Sequence, residues 1–368
     1  MWTVANLIDR LSGDFEFAVF TRDRDHGDRK RYPRIEAGEW HRLAGGESVY
    51  YASPGEISPS VARRIVDEAA PDVVFLNSVF GAAGIAYLRA RRRNGTRTPT
   101  VVAPCGELSA GAMRSSALKK RLFLLYAKAV GLYRDVIWKA TTELESEEIK
   151  SVFGRHVAPQ IAPDLTPKEI LPGYSADLKP QKRPGEARFI FFSRVVPKKN
   201  LAYFLEALSQ VRPDSNVHLT VAGPLEDAAY WAECRTAAGR LGANVSLEVA
   251  GGVERLEGLR LLCENHFFVL PTLNENFGYV ILESLAAGTP AILSENTIWG
   301  GVEAAGAGWI LPLACRQDWT KLIEYCVAME ADEFRRRSTA ARTFALNYLA
   351  ENSSEDLTRR LFTQAAAL

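Results

Sequence analysis

Phe267-Phe268-Val269-Leu270-Pro271-Thr272-Leu273-Asn274-Glu275-Asn276-Phe277-Gly278-Tyr279-Val280-Ile281-Leu282-Glu283-Ser284-Leu285-Ala286-Ala287-Gly288-Thr289-Pro290 reads as a short buried strand, a polar turn and a helix over 278–287. The first turn of such a helix leaves backbone N–H groups unpaired, and its positive end favours an anion. Glu283 stands eight positions after Glu275, two turns into the helix and aimed at the same side, where its carboxylate can accept hydrogen bonds from sugar hydroxyls. A phosphate against the amides with a carboxylate beside it suits a nucleotide sugar. An isolated pair of Glu at this spacing fits an ordinary strand-turn-helix with both carboxylates in water. The Phe-Gly after the first Glu and the Ala-Gly-Thr-Pro after the second weigh against that reading.

A second segment complements the first. Phe189-Ile190-Phe191-Phe192-Ser193 reads as a parallel strand running into Arg194-Val195-Val196-Pro197-Lys198-Lys199-Asn200 and a helix from Leu201. A guanidinium and an ammonium thus emerge at a strand's carboxyl end, where doubly wound sheets bind ligands, and together they can neutralise a diphosphate. A lone basic turn is as often solvated, but the acidic motif downstream makes the functional reading the better one. Lys198 and Lys199 both remain candidates for the phosphate ligand.

Residues 274–292 resemble the E-x7-E signature of the retaining GT-B glycosyltransferases of family 4, and 193–200 is similar to that family's Gly-Arg-x4-Lys-Gly element. Ser193 and Asn200 replace its two glycines, leaving Arg194 and Lys199 on the matching positions. The resemblance implies an α/β chain of two Rossmann-like domains facing a cleft, with a C-terminal helix returning to the first domain. It implies transfer of a sugar, with retention, from a nucleoside diphosphate sugar to a hydroxyl acceptor in polysaccharide, lipopolysaccharide or glycolipid synthesis. Arg194 and Lys199 would stabilise the leaving diphosphate and Glu275 would orient the sugar. Glu283 would hold the ribose, and amides of Phe277, Gly278 and Tyr279, with Asn276 in the same turn, would cradle phosphate. Gly223, in Val221-Ala222-Gly223-Pro224, and Val253, after Gly251-Gly252, match positions beside the nucleotide, although a plain tight turn fits Gly223 equally well. No cofactor and no metal is implied, and a UDP-sugar is the expected donor. Two alternatives are a catalytically idle nucleotide-sugar-binding subunit and a GT-B epimerase.

At 368 residues the chain exceeds the size at which one core keeps growing, so two domains are expected. The expected division is 1–163, a linker at 164–187 marked by Pro163, Pro167, Pro172, Pro180 and Pro184, a donor domain at 188–345, and a final helix at 346–368. Alternating apolar and amphipathic runs in both halves argue for parallel sheets covered by helices. An apolar fraction of 47% with 24% charged residues is that of a soluble globular protein, and a net charge of +1 argues against a nucleic-acid binder. Five scattered cysteines without C-x-x-C fit free thiols in a reducing, cytoplasmic setting, and His26, His41, His156, His218 and His266 lack metal-ligand spacing.

In the first domain, Asn77-Ser78, Ala103 to Glu107, and Thr141 to Glu143 end strands and are candidates for the acceptor side, a structural loop being the commoner role of each. Residues 119–134 place Leu, Phe and Tyr between cations, which reads two ways: a peripheral contact with the inner face of an anionic membrane, or a helix whose broad apolar face enters the core. The second is favoured. Family members open with a strand and a glycine-rich loop before the first helix, whereas the stretch resembling that helix here is Val4–Leu11. Either the start is misassigned or truncated, or the site lacks one wall, and the first sheet is then expected to lack its central strand.

Overall fold

The structure, a computed structural model, describes residues 2–24, 30–33, 35–43, 45–95, 98–114, 117–167, 170, 179–351 and 354–368. His26 and the middle of the proline-rich linker lie outside them. The chain divides into two compact units, Met1–Lys168 with Ser353–Leu368, and Glu169–Asn352.

Unit 1 holds α1 (Trp2–Leu11), β1 (Ala18–Arg22), β2 (Trp40–Arg42), β3 (Ser48–Ala52), α2 (Pro59–Ala69), β4 (Val74–Leu76), α3 (Ala82–Asn94), β5 (Thr100–Val102), α4 (Ala110–Arg114), α5 (Ala117–Ala129), β6 (Ile137–Ala140), α6 (Glu143–Phe153) and β7 (Gln160–Ile161). Its strands form two sheets, β1-β3-β2 and β4-β5-β6-β7, parallel except for the β2–β3 pairing. Strands β2 and β3 escaped the sequence reading because each is short and lies among Gly, Glu and Ser. Ser58 caps α2 by accepting from Val61 N, and Thr142 caps α6 by accepting from Glu145 N.

Unit 2 follows the expected alternation: β8 (Glu186–Phe192), α7 (Leu201–Leu208), β9 (Asn216–Ala222), α8 (Ala228–Ala238), β10 (Val245–Gly251), α9 (Arg255–Cys263), β11 (Phe267–Leu270), α10 (Tyr279–Ala286), β12 (Ala291–Ser294), α11 (Gly301–Ala304), β13 (Gly308–Leu311), α12 (Arg316–Ala328) and α13 (Ala331–Glu351). Its six strands lie parallel in the order β10-β9-β8-β11-β12-β13. Every residue of β11 and β12 is buried, as near-continuous apolar strands between two helical layers must be.

The final helix, α14 (Ser354–Ala366), belongs to unit 1. Phe362 meets Phe15 and Phe75 edge-on at 5.7 and 5.5 Å, and Arg359 pairs with Asp14 at 3.0 Å. The change of unit comes after α13, not at residue 346, because that helix continues unbroken to Glu351. Both ends of the proline-rich segment are docked. Asp164 forms a buried ion pair with Lys139 at 3.0 Å in unit 1. In unit 2, Lys182 donates to the carbonyls of Val327 and Met329 at 3.0 and 2.9 Å.

Candidate donor-binding site

Strand order in unit 2 reverses between β8 and β11, and the two loops singled out from the sequence emerge from the carboxyl ends of those two strands. That switch point is where doubly wound sheets hold ligands. After β8, Ser193 N donates to Ala222 O at 3.0 Å and Val195 N to Pro224 O at 2.8 Å. A 3-10 turn at Pro197–Lys199 then ends at Asn200, whose φ of 59° lies in the left-handed region that Asn tolerates better than other side chains. This explains how Asn stands in for a glycine there. The helix that follows begins at Leu201, as expected.

Lys198 O accepts from Leu273 N at 2.8 Å and from Thr272 Oγ1 at 3.1 Å, strapping the two loops together. Beside that strap the Lys199 ammonium is paired with the Glu275 carboxylate, the side chains 10% and 11% exposed. Glu275 N is held by Asn296 O at 2.9 Å.

The turn into α10 is anchored by an aromatic cluster. Phe277 is buried, its carbonyl accepts from Trp299 Nε1 at 2.6 Å, and its ring lies 4.9 Å from Tyr279 and 5.4 Å from Trp299. Gly278 has φ 77°, and a Cβ there would come within 2.8 Å of Ile281 Cδ1 and 2.9 Å of Glu275 Cγ. Only glycine meets both demands. The Phe-Gly pair thus fixes where Glu275 stands and where α10 begins.

Glu283, on α10, meets Arg255 of α9 at 3.4 Å. Burial pushes its carboxyl up to about 7 from an ordinary 4.5, and Arg255 pulls it back only in part. Gly223 has φ 132°, its N–H donates to Gly251 O at 2.6 Å, and a Cβ would sit 2.0 Å from Ser193 O. The ends of β8, β9 and β10 therefore converge on one glycine. Gly252 and Val253 follow β10 directly and lead into Arg255. Arg194 is more exposed, its side chain pairing with Glu226 at 3.1 Å.

Sequence reasoning missed Arg255 and Glu226. Glu226 sits in the loop after β9 and Arg255 opens α9 shortly after β10, and a charge just past a strand's carboxyl end is the signal that marks them, but their partners are distant in sequence. In unit 1 the candidate segments bond to one another. Glu107 accepts from Ser78 Oγ at 2.9 Å and Val79 N at 2.7 Å, Cys105 Sγ donates to Asn77 Oδ1 at 3.0 Å, and Glu145 accepts from Gly106 N at 2.6 Å and Thr141 N at 2.7 Å. Burial pushes the Cys105 thiol well up, which suits a packed thiol and not a nucleophile.

Residues 176–343, which fall in unit 2, match the family described as Glycosyl transferases group 1. An uncharacterised glycosyltransferase of Methanocaldococcus jannaschii is 29% identical over 116 residues, a match spanning 30% of this chain and 27% of that protein's length. Sucrose-phosphate synthase from Thermosynechococcus elongatus superposes with a TM-score of 0.75 at 15% identity, covering 99% of this chain and 93% of that one. HepE of Anabaena, solved with UDP and glucose, superposes with a TM-score of 0.69 at 16% identity, covering 100% and 96%. The fold is that of GT-B glycosyltransferases, with two Rossmann-like units.

Proposed function

We propose that this protein transfers a sugar, with retention, from a nucleoside diphosphate sugar to a hydroxyl acceptor, and that unit 2 binds the donor. One observation carries the reading: the loops leaving β8 and β11 at the switch point set the Lys199–Glu275 pair beside a helix start opened by Gly278. On this reading the diphosphate lies against the first amides of α10 while Arg194 and Lys199 neutralise the charge that grows as it leaves. Glu283 accepts from the ribose hydroxyls, with Arg255 holding its carboxylate in place, and Glu275 orients the sugar. The acceptor oxygen bonds to the anomeric carbon on the face from which the diphosphate oxygen departs with its electron pair, and the acceptor's proton passes to a donor phosphate oxygen. Charge neutralisation is assigned to side chains and amides, without a metal. A UDP-linked donor is supported by the UDP and glucose in the HepE structure.

The acceptor side is read from α5. Its core face is narrow, with Leu124 and Ala127 buried, whereas Leu118, Leu122, Leu125 and Tyr126 are exposed among the exposed cations Lys119, Arg121 and Lys128. The core reading of the sequence thus accounts for only part of this helix. No helix among the described residues is long and apolar enough to cross a membrane. An apolar stripe flanked by cations fits the surface of an anionic bilayer, and with it a lipid-linked or cell-surface glycan acceptor. The test is mass-spectrometric detection of product from a panel of nucleotide sugars with isolated membranes or glycan acceptors. Donor-dependent addition of one sugar mass supports the reading, and nucleotide binding without any product favours an idle binding subunit.

A further inference from the structure

In unit 1 a cavity of about 700 Å³ lies among the last turn of α3, the first residues of β5 and β6, and the turn that joins α5 to β6. It stands at the amino ends of those strands, whereas the acceptor-side candidates Ala103 to Glu107 and Thr141 to Glu143 follow their carboxyl ends. The volume falls within the range of small-molecule sites, roughly 300–1,000 Å³. From this geometry we propose that the cavity binds a phosphomonoester, a phosphate group on a small organic body, apart from the loops assigned to donor and acceptor.

The chemistry of the ligand follows from the lining. Arg91, Arg92 and Arg134 contribute guanidinium groups, and the buried Leu88 and Leu132 contribute apolar wall. Arg91 donates to Arg134 O at 2.9 Å and to Asp135 O at 3.1 Å, which fastens the end of α3 to the turn without cancelling its charge. A Cβ on Gly131, whose φ is 59°, would sit 3.3 Å from Arg92 Nη1 and 3.8 Å from Arg134 Cβ. Both arginines thus flank one stretch of bare backbone. Among the described residues no carboxylate comes within 4 Å of any of the three guanidinium groups, and Asp135, which also lines the cavity, is exposed. The carboxyl ends of α3 and α5 each carry about half a negative charge, so together they offset only about one of the three positive charges. Planar guanidinium forks pair with phosphate oxygens two at a time, and the leucines cover the organic body. Soluble phosphate esters and the headgroup of phosphatidic acid share this chemistry. Arg89 of α3 lies over the Tyr126 ring at 5.8 Å, so the helix that lines the cavity also borders the exposed face of α5.

The test titrates glycerol 3-phosphate into the full chain and locates it by hydrogen exchange. A second arm compares vesicles containing phosphatidic acid with phosphatidylglycerol vesicles of matched surface charge, whose phosphate is a diester. Binding in the millimolar range or tighter is expected, with slowed exchange at the amides of Gly131 to Arg134. Arg92→Gln with Arg134→Gln, both exposed and so expected to fold, should lose at least tenfold in affinity. Arg93→Gln with Arg121→Gln removes the same charge outside the lining and should lose less than twofold. A response to glycerol 3-phosphate assigns the site to soluble esters, and a response to phosphatidic acid vesicles alone assigns it to a lipid headgroup. No saturable binding to either probe overturns the proposal. So do equal losses in the two double variants, or protection confined to the loops at 194–199 and 275–281, which would place the phosphate in the donor site.

Discussion

Lys199 and Glu275, 76 residues apart in sequence, form an ion pair at the switch point of the unit 2 sheet, each side chain nearly covered. Breaking a covered pair leaves a charge unpaired, which costs more than the intact pair contributes. Lys199→Met is expected to destabilise the protein by roughly 3–5 kcal/mol, and adding Glu275→Gln to recover much of that loss. Urea unfolding of the two single variants and the double variant checks this, and strictly additive losses would contradict the pairing.

The raised Glu283 carboxyl gives a pH signature of known sign. Its value in the folded protein, about 7, lies above the ordinary 4.5, so its contribution to stability is fully present below 4.5 and is lost as pH rises through 7. Ribose binding needs the charged form and runs the other way. Nucleotide affinity should therefore be higher at pH 8 than at pH 6, and Glu283→Gln should remove most of that difference. Calorimetric titration of both proteins at the two pH values measures it, and an equal pH dependence in the variant would exclude Glu283 as the ribose acceptor.

Gly223→Ala forces a methyl into the Ser193 carbonyl, which is backbone and cannot swing away, at a φ that alanine disfavours. The expected cost is several kcal/mol, or failure to fold. Gly278→Ala meets the Ile281 and Glu275 side chains and no backbone, at a φ of 77° that alanine also disfavours, so it should fold with reduced stability and weaken nucleotide binding by displacing Glu275 and the start of α10. Thermal midpoints and nucleotide titrations of the two variants separate these outcomes.

Unit 2 was legible because fully buried parallel strands are continuous apolar runs and because its helices start and stop within a few residues of the expected limits. Phe267–Leu270 is the clearest case. The motif residues were legible as types at a spacing, and the structure adds which charges meet: Lys199 with Glu275, Glu283 with Arg255, Arg194 with Glu226. Such pairings depend on which loops adjoin at a sheet edge, and strand order is not written locally. Unit 1 was harder, because β2 and β3 are short and flanked by Gly and charged residues, and their form rests on pairing with each other and β1. For α5 the periodicity showed apolar residues but not which of them a sheet would cover.

That exposed face of α5 gives a further expectation. Replacing Leu122 and Leu125 together with Glu should abolish sedimentation with vesicles rich in anionic lipid while leaving the thermal midpoint within a degree or two, since surface changes act within about 0.5 kcal/mol. Binding of the native chain should fall steeply with salt. Undiminished vesicle binding by the double variant would remove α5 from the membrane contact.

The central claim is that unit 2 is a nucleoside diphosphate sugar site built from the loops after β8 and β11. The measurement that reaches it most directly is calorimetric titration of UDP, GDP, ADP and TDP, and their sugars, into the native chain and into Arg194→Ala, Glu283→Gln and Glu275→Gln. One base should bind in the millimolar range or tighter, Arg194→Ala and Glu283→Gln should each lose at least tenfold, and Glu275→Gln should keep the nucleotide while losing discrimination for the sugar-linked form. Absence of binding across the whole panel, or an equal loss of nucleotide affinity in both Glu variants, would contradict the account.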